Sequence, residues 1–182
     1  MRRRPRPRVR LRTPRAADGP EFCRLNRASR RLHRGLVAPP VSARQFAAYL
    51  ARRRRADSPG FLICRRSDGA IVGGINFSEI VRGNFQGAYV GYQIGAPFAR
   101  QGYMTEALAL ALAVAFGRLR LHRVEANIQP GNIPSLALVR RAGFRREGFS
   151  RRYLRIAHRW RDHERWALVA EDWRARRARE RS

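Results

Sequence analysis

The residues with the clearest chemical potential form the segment Ala99-Arg100-Gln101-Gly102-Tyr103-Met104. An alternating apolar run precedes this segment and an alanine- and leucine-rich run follows it, so it joins a predicted strand to a predicted helix. The first N–H groups of a helix have no partner inside the helix, and the helix dipole favours an anion there. The segment therefore predicts a site for a diphosphate, and the alternative is that its glycine serves only a tight turn.

A second junction carries Asn132-Ile133-Pro134-Ser135, and Gly143-Phe144 follows eight residues after Ser135. Asparagine before a helix caps backbone N–H groups, and glycine after a helix ends it, so the pattern predicts a helix over residues 134–142. By itself Asn132 is an ordinary cap. Its occurrence one helix and one strand after the first junction strengthens the case for a ligand site.

The two junctions need a sheet to position them. Residues 61–66 and 70–81 predict a hairpin around Ser67-Asp68-Gly69, and the next strand completes an antiparallel meander. The predicted strands cover residues 9–13, 61–66, 70–81, 86–95, 123–129 and two final segments on either side of a turn at residues 157–159.

Helices should cover this sheet. Asp18 and Ser42 are predicted caps of two helices, and the arginines at residues 52–55 suit the end of the second one because cations favour that end of the dipole. Residues 105–116 alternate leucine and alanine, which also fits a strand, but alanine and the length of twelve residues favour a helix. The predicted fold class is α+β, a mixed α/β sandwich with about seven mostly antiparallel strands and about four helices.

Further segments extend the pattern over residues 9–173. With the two junctions, they make the chain resemble the GNAT superfamily of N-acetyltransferases, and within it the ribosomal-protein N-terminal alanine acetyltransferases. The resemblance departs from the family pattern at Ala99, where Gln or Arg is usual, and at Met104, where a small residue is usual. The segments are Arg10-Leu11-Arg12, Asn76-Phe77-Ser78, Val81-Arg82-Gly83, Gly91-Tyr92-Gln93-Ile94-Gly95 and Trp160-Arg161-Asp162-His163.

The resemblance implies the acyl-CoA N-acyltransferase fold, with acetyl-CoA as co-substrate and no metal. It also implies that a backbone N–H of the fourth strand polarises the thioester carbonyl. Backbone groups of Tyr92, Gln93 and Ile94 would pair with the pantetheine arm, and Asn132 and Ser135 would contact the coenzyme. The residues implied to hold the pyrophosphate are Arg100, Gln101, Gly102, Tyr103, Met104 and Thr105.

The implied acceptor is an α-amine, whose pKa of about 7.7 to 8.0 requires a base or a water relay. Glu125 on the fifth strand is the first candidate base, and the alternative for it is an ion pair with Arg123 or Arg120. Glu79 is the second candidate, and its alternative is a place on the solvent face of its strand.

Ser135 is the implied donor of a proton to the departing thiolate, with Tyr153 or water as alternatives. Arg152 stands where some relatives carry an acidic residue just before the tyrosine. Trp160 and Trp166 are predicted to pack on the sheet. The four histidines, His33, His122, His158 and His163, have no metal-ligand spacing, and we expect surface or core roles for them.

Charge and composition limit the remaining choices of partner, domain organisation and localisation. The chain has 182 residues and a net charge of +27, and every one of its 40 basic residues is an arginine, which fits either a GC-rich genome or attraction to polyanions such as RNA. We expect a basic arm over residues 1–8, one catalytic domain over 9–173 and a basic tail over 174–182. Cys23 and Cys64 should be reduced thiols, and no apolar run is long enough to span a bilayer, so a soluble cytoplasmic protein is expected.

The leading functional hypothesis is acetyl transfer to the N-terminal amine of a protein, first of all a ribosomal protein, with possible association of the basic surface with ribosomes or rRNA. Two alternatives stay open. The acceptor could be a small amine such as an antibiotic, although like charges disfavour a polycation. The chain could also be a ribosome- or RNA-binding factor that keeps a coenzyme pocket.

Overall fold

One mixed sheet forms the centre of the molecule. A computed structural model describes residues 6–179 and places seven strands in the order β1-β2-β3-β4-β5-β7-β6. Neighbouring strands are antiparallel except β4 and β5, which are parallel, so the predicted meander β2-β3-β4 is confirmed. The strands are β1 (Val9–Arg12), β2 (Gly60–Arg65), β3 (Ile71–Val81), β4 (Gly87–Ile94), β5 (Arg123–Ile128), β6 (Arg145–Ile156) and β7 (Arg159–Val169).

Helices cover both faces of the sheet, which confirms the predicted α+β class. The described part of the chain contains six α-helices where about four were predicted, because the count did not include a four-residue helix and a C-terminal helix. The helices are α1 (Gly19–Ala28), α2 (Arg30–His33), α3 (Ala43–Arg53), α4 (Tyr103–Ala113), α5 (Ile133–Ala142) and α6 (Ala170–Arg179).

The larger core lies between the sheet and α4. Leu108 and Ala111 of α4 are fully buried, and they pack with Val124 of β5 and Leu168 of β7. Small alanines let the helix approach the sheet closely while leucines fill the space, and burial of each large apolar side chain contributes about 1.5–3 kcal/mol. The leucine-alanine run is therefore a helix, as predicted, and it ends in a single π-turn over Val114–Arg118.

A smaller core holds α1 and α3 on the opposite face. Phe22 of α1 and Phe46 of α3 meet edge to face with ring centroids 6.0 Å apart, above Leu62 of β2. Cys23 and Cys64 are buried free thiols in this cluster. This core fixes α1, which leads into α2, and α3, which follows the loop after α2, and so it positions one wall of the site described below.

The ends of the helices follow the predictions only in part. Ser42 caps α3, since its hydroxyl accepts a hydrogen bond from the Gln45 N–H. Asp18 occupies the residue before α1 but does not cap it with its side chain. Its carboxylate instead pairs with the Arg12 guanidinium at 2.7 Å and accepts a hydrogen bond from the Arg15 N–H. These donors occupy the carboxylate oxygens that would otherwise cap the helix.

The predicted basic segments are partly structured. Arg8, expected in a solvated arm, pairs with Glu106 of α4 through its guanidinium and its backbone N–H. Helix α6 runs through residue 174, where the basic tail was expected to begin. Residues 1–5 and 180–182 lie outside the described residues, and the boundaries of arm, domain and tail stay predictions.

Strands β4 and β5 separate at one end, and this separation creates the site. They pair only from Gly87 with Arg123 to Tyr89 with Glu125. Beyond Tyr89, β4 continues on β3 alone and β5 continues on β7 alone. The backbone edge of β4 after Tyr89 therefore faces a gap instead of a neighbouring strand.

Candidate functional site

A cleft of about 730 Å³ opens where β4 and β5 separate. Its walls come from the C-terminal half of β4, the loop before α4, the end of β5, the start of α5, α2 and the loop after α2, and one residue of β7. Of the residues predicted to bind a coenzyme, the cleft wall includes Tyr92, Gln93, Ile94, Arg100, Gly102, Tyr103, Met104, Thr105, Asn132 and Ser135. Gln101 belongs to the same loop but is outside this wall.

The loop before α4 presents backbone groups to one end of the cleft. Gly102 precedes the first turn of α4 with a φ of 82°, a left-handed conformation that glycine adopts without strain. Arg100 also has a positive φ, of 61°. The Thr105 N–H donates to the Gly102 carbonyl at 3.0 Å, but the two N–H groups before it precede the helical hydrogen bonds of α4, so this turn can bind an anion with main-chain donors.

Two arginine contacts brace the outside of this loop. The guanidinium of Arg8 donates to the Gln101 carbonyl at 2.8 Å and lies over the Tyr103 ring at 4.7 Å. The Gln101 side chain donates to the Pro97 carbonyl. The Gln101 side chain is therefore engaged within the loop, which explains its place outside the cleft wall.

Asn132, Tyr92 and Ser135 form a connected group on the α5 side. The Asn132 carboxamide accepts from the Ser135 N–H at 3.3 Å, which is the predicted helix cap. The Ser135 hydroxyl lies 2.6 Å from the Tyr92 hydroxyl. Burial raises the pKa of Tyr92 to about 12, so this phenol stays protonated across the physiological range. The pair can hold a proton close to a ligand in the cleft.

The two predicted carboxylates lie outside the cleft wall. Glu125 pairs with Arg123 at 2.7 Å, the alternative that the sequence left open, and Arg123 also binds Glu147. Glu79 is exposed in the irregular part of β3 with a φ of 51°, and Arg55 lies near enough to interact with it. Glu125 is the last β5 residue that pairs with β4, where the gap begins, but neither carboxylate lines the cleft, and a catalytic role for either one stays a prediction.

Tyr153, the alternative acid, belongs to a second pair of phenols. Its hydroxyl lies 3.5 Å from that of Tyr89, and this contact together with burial raises the pKa of Tyr89 to about 12. The Tyr153 ring meets His163 edge to face at 6.2 Å. Tyr153 is thus one side chain away from the cleft, on the face of the sheet opposite α4.

Sequence reasoning missed five polar residues of the cleft wall, namely His33, Asn127, Gln129, Arg141 and His163. The alternation of β5 and β7 carried a signal for Asn127 and His163, because Ala126 and Trp166 face the core and residues an odd number away face the other side. The tryptophan prediction was half right, because Trp166 is buried whereas Trp160 is 61% exposed.

The residues present fit coenzyme A. The cleft has a turn of main-chain donors at one end and an unpaired strand edge along one wall, which suit a diphosphate and the amides of pantetheine. Within residues 6–179, no group of three or more His, Cys, Asp and Glu side chains is placed to hold a metal ion. In the same part of the chain, no helix has the length and apolarity needed to cross a membrane.

Comparison with known proteins places the chain among acetyltransferases. A family model described as an acetyltransferase (GNAT) domain matches residues 8–145. A probable N-acetyltransferase of Bacillus subtilis, YjcK, is 33% identical over 129 residues, which are 71% of this chain and 71% of that protein.

Two further relatives are an acetyltransferase of a ribosomal protein and a protein solved in complex with a coenzyme A derivative. The alanine N-acetyltransferase of ribosomal protein uS5 from Escherichia coli is 43% identical over 103 residues, and the match spans 57% of this chain and about half, 53%, of that enzyme. The structure of Mycobacterium smegmatis RimJ in complex with CoA-disulfide has a TM-score of 0.82 and 30% identity, and it covers 90% of this chain and 82% of that one.

Proposed function

The chain belongs to the acetyltransferase (GNAT) family, with acetyl-CoA as its acetyl donor, and we propose that its acceptor is the N-terminal α-amine of a protein, first of all a ribosomal protein. The observation that carries this proposal is the 43% identity to the uS5 alanine acetyltransferase. The match covers only part of each chain, so acceptor and partners are inferred from it together with the shape and charge of the site.

The open shape of the cleft supports a polymeric acceptor. A shallow depression of about 460 Å³ adjoins the cleft and shares Leu36, Gln129 and Gly131 with it. Trp160 and Asp162 form its far side. An extended chain terminus can lie in this depression while its amine reaches the cleft, because an exposed aromatic ring and a carboxylate offer contacts to a peptide backbone.

The charge of the chain supports a partner of negative charge. A net charge of +27 attracts assembling ribosomal particles through their RNA, and it disfavours encounter with polycationic small amines. We therefore place the enzyme in the cytoplasm, near ribosomal proteins that are still being assembled.

The chain's own residues divide the work at the cleft. The turn at Gly102 binds the diphosphate, and the free edge of β4 beyond Tyr89 orients the pantetheine arm. The donor supplies an activated acetyl thioester. The Tyr92 and Ser135 hydroxyl oxygens lie 2.6 Å apart, and this pair holds a proton beside the position where the thiolate leaves.

The test is to incubate the protein with acetyl-CoA and synthetic N-terminal peptides of ribosomal proteins and to weigh the products. We expect an added acetyl group on the α-amine of at least one peptide and none on lysine side chains. Acetylation confined to lysine or to polyamines, with coenzyme A bound normally, would contradict the proposed acceptor. Failure of the protein to bind coenzyme A would contradict the assignment of the cleft as the coenzyme site.

A further inference from the structure

Two polar side chains face the cleft from the side of the sheet opposite α4. Asn127 of β5 pairs in register with Arg165 of β7, and His163 is the next β7 residue on that face. Diagonal neighbours on adjacent strands lie about 7–8 Å apart, so the two side chains are neighbours in the wall. Both side chains line the cleft.

The tautomer of His163 follows from its surroundings. Its Nδ1 lies 2.9 Å from the Arg161 carbonyl oxygen, which can only accept, so Nδ1 carries the proton and Nε2 carries the lone pair. The described residues give Nε2 no hydrogen-bond partner, and the Nε2 atom is not fully enclosed by protein. The lone pair is therefore open to the cleft, although the residue is only 3% exposed.

The Asn127 side chain does not offer its oxygen to a ligand. Its Oδ1 is a buried acceptor with no hydrogen-bond partner among the described residues. Buried polar atoms in folded proteins are nearly always satisfied, so this acceptor is unusual, but the atom is as enclosed as Nδ1 of His33 and an amine in the cleft does not reach it. Asn127 therefore forms part of the wall beside His163.

We propose that His163 Nε2 accepts the proton of the acceptor amine. The amine nitrogen bonds to the acetyl carbon, the bond between that carbon and sulfur breaks, and the amine proton passes to Nε2. That proton then leaves for the thiolate or for water, which returns the imidazole to its neutral form. The proposal rests on the proposed function only in requiring an amine as the acceptor.

Burial supports this role because it lowers the pKa of His163, which keeps the imidazole neutral at pH 7. The adjacent Asp162 acts in the opposite direction, and the Tyr153 ring packs against the imidazole from β6. His33 faces the cleft from α2, Arg100 lines it from the loop before α4, and Arg141 lines it from α5.

His33 is the competing imidazole, and its geometry is less suitable. Its Nε2 lies 2.8 Å from the Ile94 carbonyl oxygen, so its lone pair is on Nδ1. That Nδ1 is enclosed and has no partner among the described residues, which keeps it out of reach of a substrate. Glu125, the base predicted from sequence, is held by Arg123 outside the cleft wall.

The decisive variant is His163→Asn, because the asparagine amide can still donate to the Arg161 carbonyl while the Nε2 lone pair is lost. We expect kcat to fall roughly 10²- to 10⁴-fold and the acid limb of the pH profile of kcat, measured at saturating amine, to disappear, with coenzyme A affinity by calorimetry unchanged within about threefold. His122→Asn, at an exposed histidine paired with Glu171, is the matched control and should retain wild-type activity.

A readout independent of turnover comes from NMR of the labelled protein without ligand. Nitrogen shifts of His163 should report the Nδ1–H tautomer and a pKa below 6.5. An Nε2–H tautomer, or full activity in His163→Asn, would overturn the proposal, and so would loss of the acid limb in His33→Asn but not in His163→Asn. Any amine that wild type acetylates serves as acceptor, so failure of ribosomal peptides alone would count against the proposed function and not against His163.

Discussion

The two ends of the cleft are built from different materials. The proposed diphosphate end is a turn of backbone around Gly102, where the φ of 82° and the N–H groups that begin α4 are the proposed binding features. The acceptor end is a set of side chains, with His163 and Asn127 brought together by the register of β7 on β5. A site built from backbone groups tolerates many side-chain substitutions but is weakened by changes of backbone conformation. A site built from side chains is weakened by substitution of those side chains.

The largest effect in the binding equilibrium should come from a backbone change at the diphosphate end. Gly102→Val places a β-branched residue at a left-handed φ, with Arg8 Nη2 3.1 Å from the new Cβ position. The strain of about 1–2 kcal/mol is relieved when the turn leaves this φ, and coenzyme A binding must restore it, so coenzyme A affinity by calorimetry should fall about tenfold.

Gly83→Val is the matched control for this change. Gly83 has a φ of 65° with nothing within 4 Å of its Cβ position, so the substitution imposes similar backbone strain far from the ligand. It should lower the melting temperature without weakening the affinity for coenzyme A. Equal losses of affinity in both variants would mean that general destabilisation, and not the turn at Gly102, sets binding.

The difference between the two ends also explains what the sequence could predict. The turn at Gly102 and the cap at Asn132 depend on local residue types, so junction patterns located both, along with the strands of the meander. The position of His163 depends on a long-range register between β5 and β7, which no local pattern specifies. The pairing of Asp18 with Arg12, six residues earlier, was missed for a different reason, since a carboxylate before a helix is equally able to cap it or to bind a nearby cation.

A second prediction concerns acid stability at the acceptor end. Burial lowers the pKa of His163 in the folded protein below the unfolded value of about 6.5. Between these two pKa values the unfolded chain is protonated at His163 and the folded chain is not. Stability should therefore fall as pH drops from about 6.5 towards the folded pKa, by at most about 1.4 kcal/mol per pH unit from this group. Urea unfolding of wild type and His163→Asn between pH 7 and 5 measures it, and parallel curves would contradict the lowered pKa.

The third prediction concerns the hydroxyl pair between the two ends. Tyr92→Phe removes the partner of the Ser135 hydroxyl, which lies 2.6 Å away, and should cost about 1 kcal/mol of unfolding free energy. Ser135→Ala removes the same bond, so the double variant should lose less than the sum of the single losses. Strict additivity in urea unfolding would show that the two hydroxyls do not stabilise one another.

The smallest effect should come from a side chain at the diphosphate end. Arg100→Ala removes a charge beside the cleft but leaves the backbone turn, so coenzyme A affinity should weaken by at most about fivefold, and less at high salt. Arg24→Ala removes the same charge from an exposed position on α1 outside the cleft wall and controls for net charge. A loss near a hundredfold for Arg100→Ala alone would assign the diphosphate to that guanidinium. The contrast between a backbone end and a side-chain end would then fail, because both ends of the cleft would depend on single side chains.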